Sequence, residues 1–164
     1  MSDVTNEREK RQQEFLRLLA ELEFGRRYYE FYDSRAGKKG ESSLSLADFE
    51  RALAETGLIF EYHKGDQFFS HEESYRSMDF ELNVQLKFSM AEFIMGFDTP
   101  YGGVGGPFHS LAARSEALRR PGWKHDPLYP RLPFVTFEDL REVDAFAVGL
   151  YKEVRDVVVS RDWS

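Results

Sequence analysis

Four glycines in five positions, Gly102-Gly103-Val104-Gly105-Gly106, lead into Pro107, Phe108 and His109. Such a run can present its backbone N–H groups to a phosphate at the start of a helix. The dinucleotide template, however, asks for a third glycine where Phe108 stands, and the phosphate loop of nucleotide hydrolases asks for a lysine that is missing. Asp98, close by in the chain, would oppose an anion. The stretch therefore reads as a sharp turn over residues 102–106 with close backbone packing, followed by a helix from Pro107. A loop that contacts a partner through Tyr101, Phe108 and His109 is the alternative.

The histidines stand at positions 63, 71, 109 and 125, and no two have the short spacing of a helical metal site. His71-Glu72-Glu73-Ser74-Tyr75 opens like a zinc-protease motif but lacks its second histidine, and the chain has no cysteine. No metal and no cofactor is expected. Ser110 beside His109, with Asp98 upstream, lacks the G-x-S-x-G context of an exposed nucleophile. A small enzyme of unrecognised type would need Asp98, Tyr101 and His109 to converge in a deep pocket around the glycine-rich loop.

Carboxylates offer a different kind of chemistry. Residues 61–100 hold eight acids against three bases in a chain of formal charge −7. Glu61, Asp66, Glu72, Glu73, Asp79 and Glu81 all fall in this segment. Phosphate neutralisation needs a concentrated basic face, so nucleic acid is not the expected partner, and a basic protein suits the charge better. The same residues also fit an ordinary solvated sheet face. Aromatic anchors for a protein contact would be Tyr101, Trp123 and Tyr129, with His109 beside them.

The elements that must position these groups are legible from apolar spacing. Phe15, Leu18, Leu19, Leu22 and Tyr29 recur at helical steps, which predicts one long helix over residues 5–32 and an exposed connector over residues 33–40. Ser45 with Asp48, and Thr136 with Asp139, have the form of capping boxes. The first opens a short helix stopped by Gly57, and the second opens a C-terminal helix with Leu140, Val143, Ala147, Leu150, Val154 and Val157 along one side. Between the helices the period falls to two. Residues 58–63 and 67–69 read as a hairpin, and residues 78–90 as a strand with apolar side chains at every even position. The apolar set moves to odd positions from Ala91, which calls for a bulge or a tight turn near residues 89–92. Four prolines make residues 121–134 an irregular segment, either pinned across the surface by its aromatics or held available for a partner.

Helices at both ends and adjoining strands between them give an α+β fold, an antiparallel sheet with the N- and C-terminal helices packed mainly on one face. At 164 residues a single domain, residues 1–164, is expected. The polar N-terminus and the lack of a long apolar run predict a soluble, cytoplasmic protein with no membrane partner.

The run Glu81-Leu82-Asn83-Val84-Gln85-Leu86-Lys87-Phe88, then Gly105-Gly106-Pro107-Phe108 before a small-residue helix and a Pro/Tyr-rich loop, resembles immunity proteins of bacterial polymorphic toxin systems. That resemblance implies a small cytoplasmic binder that occludes the active site of a cognate secreted toxin and has no catalytic residues. A structural or assembly subunit of a phage or secretion particle is the other rival, and it would show a large symmetric self-contact.

Overall fold

The computed structural model describes residues 3–38 and 40–164, so Met1, Ser2 and the connector residue Lys39 lie outside the described residues. Helix α1 spans Asp3–Glu21 and α2 spans Phe24–Arg35. The expected single helix over residues 5–32 is thus two helices. Glu23 takes a left-handed φ of 55°, which ends the first helical path and starts the second at a new angle. Glu23 itself is an ordinary helix former, and the glycine nearest the break, Gly25, lies two residues on, inside α2. What fixes it is packing: a Cβ on Gly25 would lie 2.5 Å from the Ala112 carbonyl oxygen, so α2 presses its backbone against a later helix.

Helix α3, Leu46–Ala54, opens on the Ser45/Asp48 capping box and stops before Gly57 at φ 87°. Strands β1 (Glu61–His63) and β2 (Phe68–Tyr75) then form the expected hairpin. Strand β3, Met78–Lys87, buries its even positions, and β4, Met90–Thr99, buries its odd ones. The change of phase comes from a tight turn rather than a bulge. Phe88 (φ 54°) and Ser89 (φ 60°) make a two-residue hairpin turn in which both residues are left-handed.

The glycine run corrects a second expectation. Gly102–Pro107 is a strand, β5, paired antiparallel with β4, and the reversal of the chain falls earlier, at Pro100 and Tyr101. Close backbone packing is nonetheless the reason for the glycines. At φ 144°, a Cβ on Gly105 would stand 2.1 Å from the Met95 carbonyl oxygen of the neighbouring strand. Pro107 caps helix α4, Phe108–Arg119, in place of beginning it. A two-residue strand β6, Leu132–Pro133, pairs with the first residues of β4, and α5, Phe137–Val158, starts at the Thr136/Asp139 capping box.

The sheet runs in the order β1-β2-β3-β4-β5, with β6 beside β4 and every pair antiparallel. The helices cover one face, and the fold is α+β. The buried side chains form one cluster. Aromatic contacts knit its layers, with Phe97 of β4 lying 5.2 Å from Phe15 of α1 and 5.0 Å from Trp163. Phe108 of α4 meets both Phe24 (5.3 Å) and Phe93 (5.7 Å) in the same way.

The proline-rich segment is pinned. The Tyr28 hydroxyl donates to the Pro130 carbonyl at 2.6 Å, and the Tyr29 hydroxyl donates to that of Leu128. Trp123 stands edge-on to Tyr29 at 4.7 Å. His125 places one ring nitrogen 2.8 Å from Asp33 and the other 2.7 Å from the Pro127 carbonyl. No helix among the described residues is long and apolar enough to cross a membrane.

Candidate functional site

Because the helices occupy one face, each strand turns alternate side chains toward solvent on the other. Glu61 of β1, Glu72 of β2, Asp79 and Glu81 of β3, and Asp98 of β4 are exposed there. The register sets Glu72 directly opposite Glu81, Ser74 opposite Asp79, and Gly96 opposite Glu81 on the other side. Asp98 in turn lies opposite Gly103, and Gly96 opposite Gly105.

Three glycines therefore meet on the open face where side chains would otherwise stand. Gly96, Gly103 and Gly105 form the floor of a groove of about 780 Å³. Its rim carries Glu72, Asp79, Glu81 and Asp98, with Arg8 of α1 at one side. Glu81 leans over the bare backbone, its Oε1 only 3.4 Å from where a Gly96 Cβ would stand. Arg8 donates from Nε to the Gly103 carbonyl at 3.0 Å.

Among the described residues, the side chains of Glu61, Asp66, Glu72, Asp79, Glu81 and Asp98 enter no ion pair and no hydrogen bond. Like charges directly across a strand pair oppose folding by about 0.2–1 kcal/mol, so the Glu72/Glu81 pair is held against a small penalty. Four carboxylates around one concavity give a negative potential that attracts a basic surface and repels an acidic one.

Glu73 does not belong to this face. It points to the helical side, where it accepts from the Tyr151 hydroxyl at 2.8 Å and from Arg155 at 3.2 Å, and lies 2.8 Å from His71 Nε2. Burial alone would raise the pKa of its carboxyl, but His71, Tyr151 and Arg155 outweigh burial and hold it below the usual carboxylate range. Asp66 is exposed in the turn between β1 and β2.

The expected aromatic anchors separate as well. Tyr101 sits in the β4–β5 connection with the Arg11 guanidinium 4.4 Å over its ring. His109 lies beyond the other end of β5, its Nε2 3.0 Å from Glu92 Oε1. The six residues of β5, about 20 Å long at about 3.3 Å per residue, lie between Tyr101 and His109. Asp98, Tyr101 and His109 thus do not converge, and the groove is lined by Asp98 without either of the other two. Trp123 is taken up in pinning the proline-rich segment, whereas Tyr129 stays 55% exposed beside the His109 ring. No group of three or more His, Asp or Glu side chains among the described residues could hold a metal ion.

Sequence reasoning left Asp98, Gly96 and Arg8 out of the acidic surface. Had the Phe88-Ser89 turn been recognised, the register would have placed Gly96 beside Glu81 and Asp98 next to Asp79. Arg8 carries no such signal. Comparison with family models, with curated proteins and with solved structures found no match to this chain.

Proposed function

We propose that the protein is an immunity protein, which binds a cognate secreted bacterial toxin in the cytoplasm and neutralises it by occluding its active site. The observation that carries this reading is the set of unpaired carboxylates, Glu61, Glu72, Asp79, Glu81 and Asp98, left on the one sheet face that no helix covers. Glu72 stands directly opposite Glu81 with no cation between them, a placement that costs a little folding stability and that a basic partner would relieve.

A basic cleft, as found in toxins that act on nucleic acid, fits such a face. Charge complementarity of this kind raises the rate of encounter more than the final affinity, and an inhibitor must act before the toxin does. The sheet is a rigid platform, held from behind by the aromatic core, so little ordering accompanies binding. Tyr129, exposed beside the His109 ring, offers a further aromatic contact.

Co-expression with the product of the adjacent upstream gene tests the reading. The two chains are expected to purify together, and cells making both are expected to grow where cells making the neighbour alone do not. A neighbour that is harmless alone, or that kills equally in the presence of this chain, rules the reading out.

A further inference from the structure

The two edges of the sheet are treated differently. At the β5 edge the Gln12 side chain acts as a substitute strand: its Nε2 donates to the Gly105 carbonyl and its Oε1 accepts from the Gly105 N–H, each at 3.0 Å. Arg8 closes the Gly103 carbonyl two residues earlier, and β6 continues the pairing along β4. Free backbone groups on a sheet edge invite an added strand, and here they are occupied.

Among the described residues the β1 edge has no such cover: strand β1 pairs only with β2, so alternate N–H and C=O groups along it face outward without a strand partner. Hollows lie on both sides of that edge, and a carboxylate borders each. On the helical side a space of about 380 Å³ is bounded by Leu53, Ala54, Phe60, Tyr62 and Phe69, with Glu50 of α3 among its lining residues. On the open side a space of about 440 Å³ is bounded by Glu61, Ser70, His71 and Glu72. Gly57, Leu58 and Ile59 border both, and Ile59 is 86% exposed.

We infer that the β1 edge receives an extended segment of another polypeptide, in which apolar residues alternate with lysine or arginine. An added strand sends successive side chains to opposite faces, one set toward Phe60, Tyr62 and Phe69 and the other over Glu61 and Glu72, neither of which has a partner among the described residues. Lys152, the cation near the helical hollow, is directed at the Thr56 carbonyl at 3.0 Å and leaves the open side acidic. A second copy of this chain fits the edge poorly. Its own β1 strand, Glu61–His63, and the Leu58-Ile59-Phe60 run before it hold no lysine or arginine, Lys64 comes only in the turn that follows, and each copy carries a charge of −7. The inference does not depend on the partner being a toxin.

The test uses the full chain and a fluorescent eight-residue peptide of alternating valine and lysine. Two further peptides carry N-methyl groups on alternate amides, one in each phase, because an added strand bonds the edge through only one set of amides. Saturable binding is expected, weakened at least tenfold by N-methylation in one phase and little by the other. Ile59→Arg is expected to weaken it at least tenfold as well, and Glu9→Lys, the control on α1, by less than twofold. Three results overturn the inference: no saturable binding, equal binding of all three peptides, or a wild-type dimer that Ile59→Arg converts to monomer. A chain that takes the peptide yet protects no cell from its neighbour's product removes only the immunity reading.

Discussion

Glu72 and Glu73 are neighbours in β2, yet Glu73 holds Tyr151 and Arg155 and lies against His71, while Glu72 faces solvent opposite another carboxylate. On the helical layer Glu7, Glu23, Glu55, Glu116, Glu138 and Glu153 each pair with an arginine, while Glu9, Glu14 and Glu50 have no partner among the described residues. On the open face Glu61, Glu72, Asp79, Glu81 and Asp98 have no partner among the described residues, and Glu92, farther along β4, meets His109 and Arg131. A sequence with 22 lysines and arginines could have placed some of them opposite these acids. Most of them stand on the helices instead, and the open face is left with an excess of negative charge.

The largest effect is expected beneath the groove. Gly105→Val drives a side chain into the Met95 carbonyl at a backbone angle only glycine adopts readily, and it should lower stability by about 4 kcal/mol or detach β5 altogether. Urea unfolding with hydrogen exchange at β5 would measure it. A loss below about 1 kcal/mol would mean that the glycines are not required by strand packing.

Charge reversal at adjacent positions breaks the comparison next. Glu73→Lys removes the acceptor of Tyr151 and sets a second cation beside Arg155, for an expected loss of about 3 kcal/mol in thermal or urea unfolding. Glu72→Lys, one residue away, should instead raise stability by about 0.5 kcal/mol, because it turns a like-charge pair with Glu81 into an attractive one. Equal effects at the two positions would erase the distinction between the faces.

Between these in size stands Asp144, an exception on the helical side. Its carboxyl is fully buried without a partner among the described residues, and burial pushes its pKa well above the ordinary value. A raised folded-state pKa means that this group favours folding most below its unfolded value, near 4, and that the benefit is lost as pH rises through the folded value. Asp144→Asn should therefore gain about 1 kcal/mol at pH 7 and nothing near pH 3. Thermal unfolding across that range checks the sign, and a variant less stable than wild type at pH 7 contradicts it.

Much of this was legible beforehand. The capping boxes at Ser45/Asp48 and Thr136/Asp139 form as their spacing dictates, and the even-position alternation of β3 put Asp79 and Glu81 on the wet face. Other features were hidden by tertiary override of local preference. The left-handed turn at Phe88 and Ser89 uses neither glycine nor asparagine, and Phe88 is 91% exposed there. Glycine weakens a strand in isolation, so β5 could be read as a turn until Gln12 and the backbone of β4 supplied its partners. Trp123 fitted a pin or an anchor equally well, and only the position of Tyr29 decides between them.

The proposed partner of the open face is a basic protein. The most direct test is the association rate of the co-purified neighbour with wild type and with a triple variant, Asp79→Lys, Glu81→Lys and Asp98→Lys, measured from low to high salt. Electrostatic steering predicts that the variant associates at least tenfold more slowly at low salt, by about the smallest effect such fields produce, and that the two rates converge as salt screens the field. Equal rates at low salt would contradict the account.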